Sequence, residues 1–261
     1  MSHPTSDDIR ELLLSAVREV APPGRYDGSA QQSTVFQIVK DRLKLVSDPE
    51  TEQLVLTEWH DLFRTGYLAW GLNLGNANAP FFHLSARGKQ AMERLSHDPS
   101  NPAGYKRNLD SIATLSPIAR SYLVEALACF TAGLYKAAAV MLGAAAESLA
   151  IELRDVTTQR LKATSKPIPR GLADWRVKTV LDALHSFLST RSHLFPRELR
   201  EEFDAYFLAW AQQIRASRND AGHPSSVDPV TEQGVHASFL LFPELAQLSA
   251  SLSTWVTASL V

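Results

Sequence analysis

Arg218 and His223 stand five positions apart in the run Arg218-Asn219-Asp220-Ala221-Gly222-His223-Pro224, and together they have the chemistry to handle a phosphodiester. A guanidinium stays charged at any physiological pH and meets phosphate oxygens with a planar fork of donors. An imidazole exchanges a proton near neutrality. One group can therefore hold charge that develops on a phosphate while the other moves a proton. The same residues also have a structural use, because an Arg in a last helical turn complements the helix dipole and Gly-His-Pro is a stop signal.

The elements that must position this pair can be read from periodicity. Phe203, Tyr206, Phe207, Trp210 and Ile214 recur at spacings of three and four, which predicts a helix over 197–218. Gly222 is a natural left-handed terminator, and Pro224 pushes His223 away from the helical region. Arg218 is thus expected in or near the last turn and His223 extended beyond it. A second segment, 135–154, is apolar almost all round and is expected to be the central core helix. Its small residues Ala137, Ala138, Gly143, Ala144 and Ala145 allow a close neighbour. Glu147 interrupts it, and a buried carboxylate needs a partner. Arg218 is the expected partner, in a pair that orients the motif, with Lys136 as competitor. Further helices are expected over 118–132, 172–190, 229–241 and 243–259, with Asp228 capping Pro229 and Pro243 breaking or kinking the chain.

The pattern Arg-Asn-x-x-x-His at 218–223 resembles the signature of the HEPN superfamily, in which a polar residue commonly follows the Arg. The small-residue helix from Gly133 to Leu149 is similar to the early helix of many HEPN-like bacterial proteins. The resemblance covers roughly Pro117 to Val261. It implies metal-independent RNA cleavage, with Arg218 and His223 catalytic and Asn219 and Glu147 in support. The imidazole would act on the ribose 2′-OH, which attacks the neighbouring phosphate while the Arg stabilises the developing charge. Each chain supplies one such Arg and His, and family members pair about a two-fold axis so that both motifs line a composite cleft. The setting implied is a toxin or antiphage-defence effector. In one respect this chain departs from the family: Pro224-Ser225 follow His223, where toxins silenced by tyrosine modification carry a Tyr at the second position after the His. That antitoxin mechanism is not expected here. The family also contains inactive binding modules.

Composition narrows the field. A chain of 261 residues, 45% hydrophobic and 21% charged, suits one large or two small globular domains. The first residues show no signal-peptide pattern and no run is long and apolar enough to span a membrane, so a cytoplasmic protein with no membrane partner is expected. The single Cys129 sits in an apolar helical run and reads as a small core residue. His60, His83, His97, His185, His193 and His236 have no ligand spacing, and no metal, nucleotide-phosphate or dinucleotide motif is present, so no metal or cofactor is expected. Trp175, Trp210 and Trp255 read as packing residues.

The net charge of −2 argues against a general nucleic-acid coat, but residues 154–178 carry seven cations against Asp155 and Asp174. Arg160, Lys162, Lys166, Arg170, Arg176 and Lys178 in this stretch are the candidate RNA contacts. A solvated inter-helix loop is the alternative.

Ahead of this half, residues 1–96 read as a separate domain and 97–116 as a turn-rich linker. Helices are expected over 7–20, 33–46 and from Asp48-Pro49 to about Thr65. Strands are expected at 67–72 and 80–84 around the turn 73–78, and Ser85 then caps a short helix to Leu95. This order resembles a winged helix-turn-helix. DNA binding is nevertheless not expected: residues 1–100 hold ten Lys and Arg against thirteen Asp and Glu. The helix before the hairpin, where such folds place the groove reader, carries Glu50, Glu52, Glu58 and Asp61. Lys40, Arg42, Lys44, Arg64, Arg87 and Lys89 could form only a local stripe.

The fold class expected is mainly α: a winged helix-turn-helix-like α+β module, then an all-α HEPN-like helical bundle over 117–261. The function expected is a dimeric, metal-independent RNA endonuclease, with the N-terminal module available to a protein partner. A non-catalytic HEPN scaffold and a winged-helix transcriptional regulator are the other classes. Leu248–Val261 and the motif helix are expected to form the two-fold interface.

Overall fold

The computed structural model describes residues 3–22, 30–45, 47–93, 95–222 and 230–259, with the side chains of 215–222 left aside. The chain is mainly helical and divides into two compact units, Met1–Asn108 and Leu109–Val261.

In the first unit α1 (Ser6–Val20) opens on a capping box, in which Thr5 and Asp8 satisfy each other's backbone amides. Then come α2 (Gln32–Leu43) and α3 (Pro49–Arg64). Asp48 accepts from the Thr51 amide and Pro49 fills the first turn, so this start lies where the sequence places it. Strands β1 (Leu68–Trp70) and β2 (Phe82–Leu84) pair antiparallel, with Ala69 opposite His83. Gly71 is needed beside them: its φ is +88°, and a Cβ there would lie 2.6 Å from the Ala77 carbonyl oxygen. Ser85 caps α4 (Ala86–Glu93) through the Gly88 amide. Trp59 of α3 centres the core, edge-on to Phe36, Phe63 and Phe82 with centroids within 5.3 Å.

The stretch expected as a linker, 97–116, is instead largely helix. Asn101 turns its carbonyl and side chain to the start of α5 (Pro102–Ile112), and Tyr105 is buried. Lys106 and Arg107 of this helix pair with Asp7 and Glu11 of α1.

The second unit is built around one long helix. Ser116 caps α6 (Pro117–Thr131), and α7 (Tyr135–Ala163) follows. Packed against α7 are α6, α8 (Val177–Ser189), α9 (Arg197–Gly222) and α10 (Glu232–Ser259). The run read as the central helix is therefore central, but it continues two turns beyond 154 because Thr157 and Leu161 are also buried.

Further boundaries differ from the sequence reading: α9, expected over 197–218, runs one turn further to Gly222. The helix expected over 172–190 is a 3-10 turn (Arg170–Ala173) and then α8. Between them the Asp174 side chain accepts from the Arg176 amide at 2.8 Å, which competes with helical bonding. Pro243 lies inside a single helix, α10, where burial of Phe242, Pro243 and Leu245 offsets the missing backbone bond. That helix begins at Glu232, with the Thr231 hydroxyl accepting from Gly234 at 3.2 Å; Asp228 and Pro229 lie outside the described residues.

Much of the apolar stretch expected as an interface is not open among the described residues. Leu248, Leu252, Trp255 and Val256 are buried within the unit itself, so a two-fold contact cannot rest on them. No helix among the described residues is long and apolar enough to cross a membrane.

Candidate functional site

The motif helix is fixed by its own buried stripe. Phe203, Phe207, Trp210 and Ile214 of α9 are all buried, and His185 of α8 stacks on Phe203 at 5.7 Å. Trp210 makes the decisive polar contact: its indole nitrogen donates to the Ala146 carbonyl of α7 at 2.9 Å. Gln213 is buried on the same helix. Its side-chain nitrogen reaches the Ser238 carbonyl of α10 at 3.5 Å, a weak contact.

Arg218 and Asn219 follow on α9 within its final turns, and the helix runs to Gly222. Arg218 is one turn past Ile214 and eight residues past Trp210, about 12 Å along the axis. His223 lies outside the described residues, as do the side chains of Arg218 and Asn219. Glu147 adjoins the Ala146 carbonyl that Trp210 holds. It is half-buried, where the sequence reading expected full burial, so its charge retains some solvent. Lys136, the competing partner, is exposed near the start of α7.

The six candidate RNA-contact residues do not sit on one loop. Arg160 and Lys162 belong to the last turns of α7, Lys166 follows that helix, and Arg170 opens the 3-10 turn. Arg176 precedes α8 and Lys178 lies in its first turn. Arg160 is half-buried and the other five are exposed. Arg176 is bound to Asp174 through Nε at 3.1 Å and Nη2 at 2.9 Å. That hydrogen bonding holds the Asp174 carboxyl down at about 2.

Trp175 corrects the sequence reading most sharply. Expected to pack, it is 87% exposed, whereas Trp210 and Trp255 are buried as expected. The signal available in the sequence was Asp174: an Asp that closes a turn onto the amide two residues on places the intervening residue outside the helix.

Other groups with chemistry are quieter. Burial, followed by the nearby Glu125 carboxylate, pushes the Cys129 thiol up, away from the thiolate form. In the first unit Lys40 pairs with Glu52 at 3.3 Å, Arg42 with Glu19 and Arg64 with Asp61. Arg87 lies over the Tyr67 ring at 4.1 Å. Arg10, almost wholly buried, binds Asp61 at 3.1 Å and the Ser100 carbonyl at 3.1 Å. Lys40 and Arg64 of the basic stripe are thus occupied with the acidic face of α3, and Arg42 with Glu19 of α1.

No group of three or more His, Cys, Asp or Glu that could hold a metal ion occurs among the described residues. Compared with protein-family models, curated proteins and solved structures, the chain matches none of them.

Proposed function

We propose that this protein is a metal-independent RNA endonuclease of the HEPN type, with Arg218 as phosphate clamp and His223 as proton-transfer group. The observation that supports the reading is that α9 carries Arg218 and Asn219 in its final turns and is anchored on α7, next to Glu147, by the Trp210–Ala146 hydrogen bond. A clamp that must meet a developing charge needs a fixed base, and α9 has one in its buried aromatic stripe. The all-helical Leu109–Val261 unit around α7 supports the HEPN-like bundle. Three helices, an antiparallel hairpin and a short helix in the first unit support the winged-helix reading there. Its internally paired cations favour a protein partner over DNA for that module.

In the mechanism proposed, His223 takes the proton of a ribose 2′-OH and the 2′ oxygen attacks the adjacent phosphorus. The P–O5′ bond breaks, and the leaving 5′ oxygen receives a proton. Arg218 holds the phosphoryl oxygens as their charge grows. Acid and base come from the two motifs of a two-fold dimer, and Asn219 and Glu147 support the loop. The test is incubation of the full chain with structured RNA in excess EDTA. Cleavage leaving 2′,3′-cyclic phosphate ends is expected. Cleavage that requires added divalent metal overturns the assignment, and a protein that cuts no RNA in any oligomeric state is better read as a scaffold.

A further inference from the structure

Single exposed apolar side chains are common on protein surfaces; what sets Trp175 apart is a large, rigid ring with a stackable face held outward on a tightly built segment. Trp175 is 87% exposed, the most exposed of the aromatic residues described. Its surroundings are not loose. Leu172 and Val177, on either side, are both buried. Gly171 brings the 3-10 turn so close to α8 that a Cβ there would fall 2.7 Å from the Ala183 Cβ. Across Trp175 itself, Asp174 binds both the amide and the guanidinium of Arg176 through three hydrogen bonds between 2.8 and 3.1 Å. The chain is stapled before and after the indole, and the ring stands outward from the staple.

The neighbours define what such a ring can meet. Arg170, Arg176 and Lys178 are exposed within five residues of it, against the single carboxylate of Asp174. Two cations outside the staple, Arg170 and Lys178, beside an exposed aromatic face suit a polyanion that also carries flat, stackable groups. Unpaired nucleobases on a phosphate backbone have both properties, whereas the bases of a duplex keep their faces covered. A bilayer surface fits less well, because of the residues between Leu172 and Val177 only Ala173 joins Trp175 as an exposed apolar side chain.

We propose that Trp175 is a stacking platform for single-stranded RNA, with Arg170 and Lys178 holding the flanking phosphates while Asp174 keeps Arg176 in the staple. This rests on the reading of the protein as an RNA-acting enzyme, and it assigns the surface that would seat substrate, a role separate from cleavage.

The test measures binding without cleavage. The full chain is titrated against a fluorescent single-stranded RNA of about 12 nucleotides carrying 2′-O-methyl sugars, which have no free 2′-OH to attack. Trp175→Ala should weaken binding about tenfold, in line with the stacking of one base, while Trp175→Phe should retain most of it. RNA should quench the wild type's emission more than that of Trp175→Phe, which keeps the other four tryptophans. Trp175→Ala should leave the salt dependence unchanged, whereas Arg170→Gln and Lys178→Gln should each lower its slope by about 0.7. Unchanged affinity in Trp175→Ala overturns the proposal. So does an equal loss of heparin binding in that variant, or tighter binding to anionic vesicles or an acidic peptide than to RNA. RNA that binds through Trp175 but is never cut in its 2′-hydroxyl form defeats the nuclease reading alone. RNA that is cut with no dependence on Trp175 defeats the platform alone.

Discussion

Trp210 of α9 donates its indole proton to the carbonyl oxygen of Ala146 on α7 at 2.9 Å, one residue before Glu147. Both side chains are fully buried, so the bond is made where water cannot replace it. It ties α9, which carries Arg218 in its final turns, to the central helix of the unit, next to Glu147.

Trp210→Phe keeps most of the ring but loses the donor. The substitution should destabilise the protein by about 2 kcal/mol, combining a lost buried hydrogen bond with a small cavity. Trp210→Ala should cost about 3–5 kcal/mol. Urea unfolding followed by circular dichroism measures both. A neutral Phe variant would mean that the bond does not anchor α9.

The Asp174–Arg176 staple has a pH signature. The Asp174 carboxyl is lowered from an ordinary 3.8 to about 2, first by the Arg176 side-chain hydrogen bonds and then by the Arg176 amide. A depressed folded value favours the stapled form above pH 3.8, and that advantage is lost as pH falls through about 2. In a carboxyl-resolved NMR titration the Asp174 midpoint should therefore lie near the lower figure. Arg176→Gln should move it up toward that of a free aspartate. An ordinary midpoint in the wild type would show that the staple does not form in solution.

Some of this architecture is legible in residue order because it rests on local rules. Asp48-Pro49 opens α3 and Ser85 caps α4 through bonds made within one turn. The stripe Phe203, Phe207, Trp210 and Ile214 repeats at helical spacing and is buried as its period requires. Elsewhere packing overrides the local signal. Pro243 reads as a break or kink between two helices, yet a single helix, α10, passes through it because its flanks are buried. Leu248 to Val261 read as an interface, yet Leu248, Leu252, Trp255 and Val256 are taken into the unit's own core. Trp175 reads as core, and a single side-chain bond from Asp174 to the Arg176 amide puts it outside. Arg218 and His223 are legible as chemistry from residue type and spacing alone. The Glu147–Arg218 pair depends on a side chain outside those described.

The first unit should bind duplex DNA only as a non-specific polyanion. Three of its cations are neutralised at short range, Lys40 by Glu52, Arg42 by Glu19 and Arg64 by Asp61, and a paired cation releases few counterions. Titration of the full chain with duplex DNA at physiological salt should give a Kd no tighter than ~10⁻⁴–10⁻⁶ M. Nanomolar, sequence-dependent binding would favour a transcriptional regulator instead.

The chemistry makes the sharpest demand. His223→Ala should abolish RNA cleavage and leave the melting temperature close to wild type, because the Gly-His-Pro sequence is expected to hold His223 outside the core. Arg218→Ala should abolish cleavage as well. It should also cost stability if Arg218 partners Glu147, and Glu147→Gln introduced into Arg218→Ala should then recover part of that loss by removing the stranded charge. Because one chain supplies one His and one Arg, activity should follow the dimer: light scattering at micromolar concentration should show a two-fold species burying more than ~1,000 Å². With Leu248, Leu252, Trp255 and Val256 already buried, that contact should draw on exposed groups such as Leu208 of α9 and Ile118 of α6. Leu208→Glu should therefore lower dimer content and cleavage together. A fully active monomer, or cleavage that survives His223→Ala, would overturn the two-motif site.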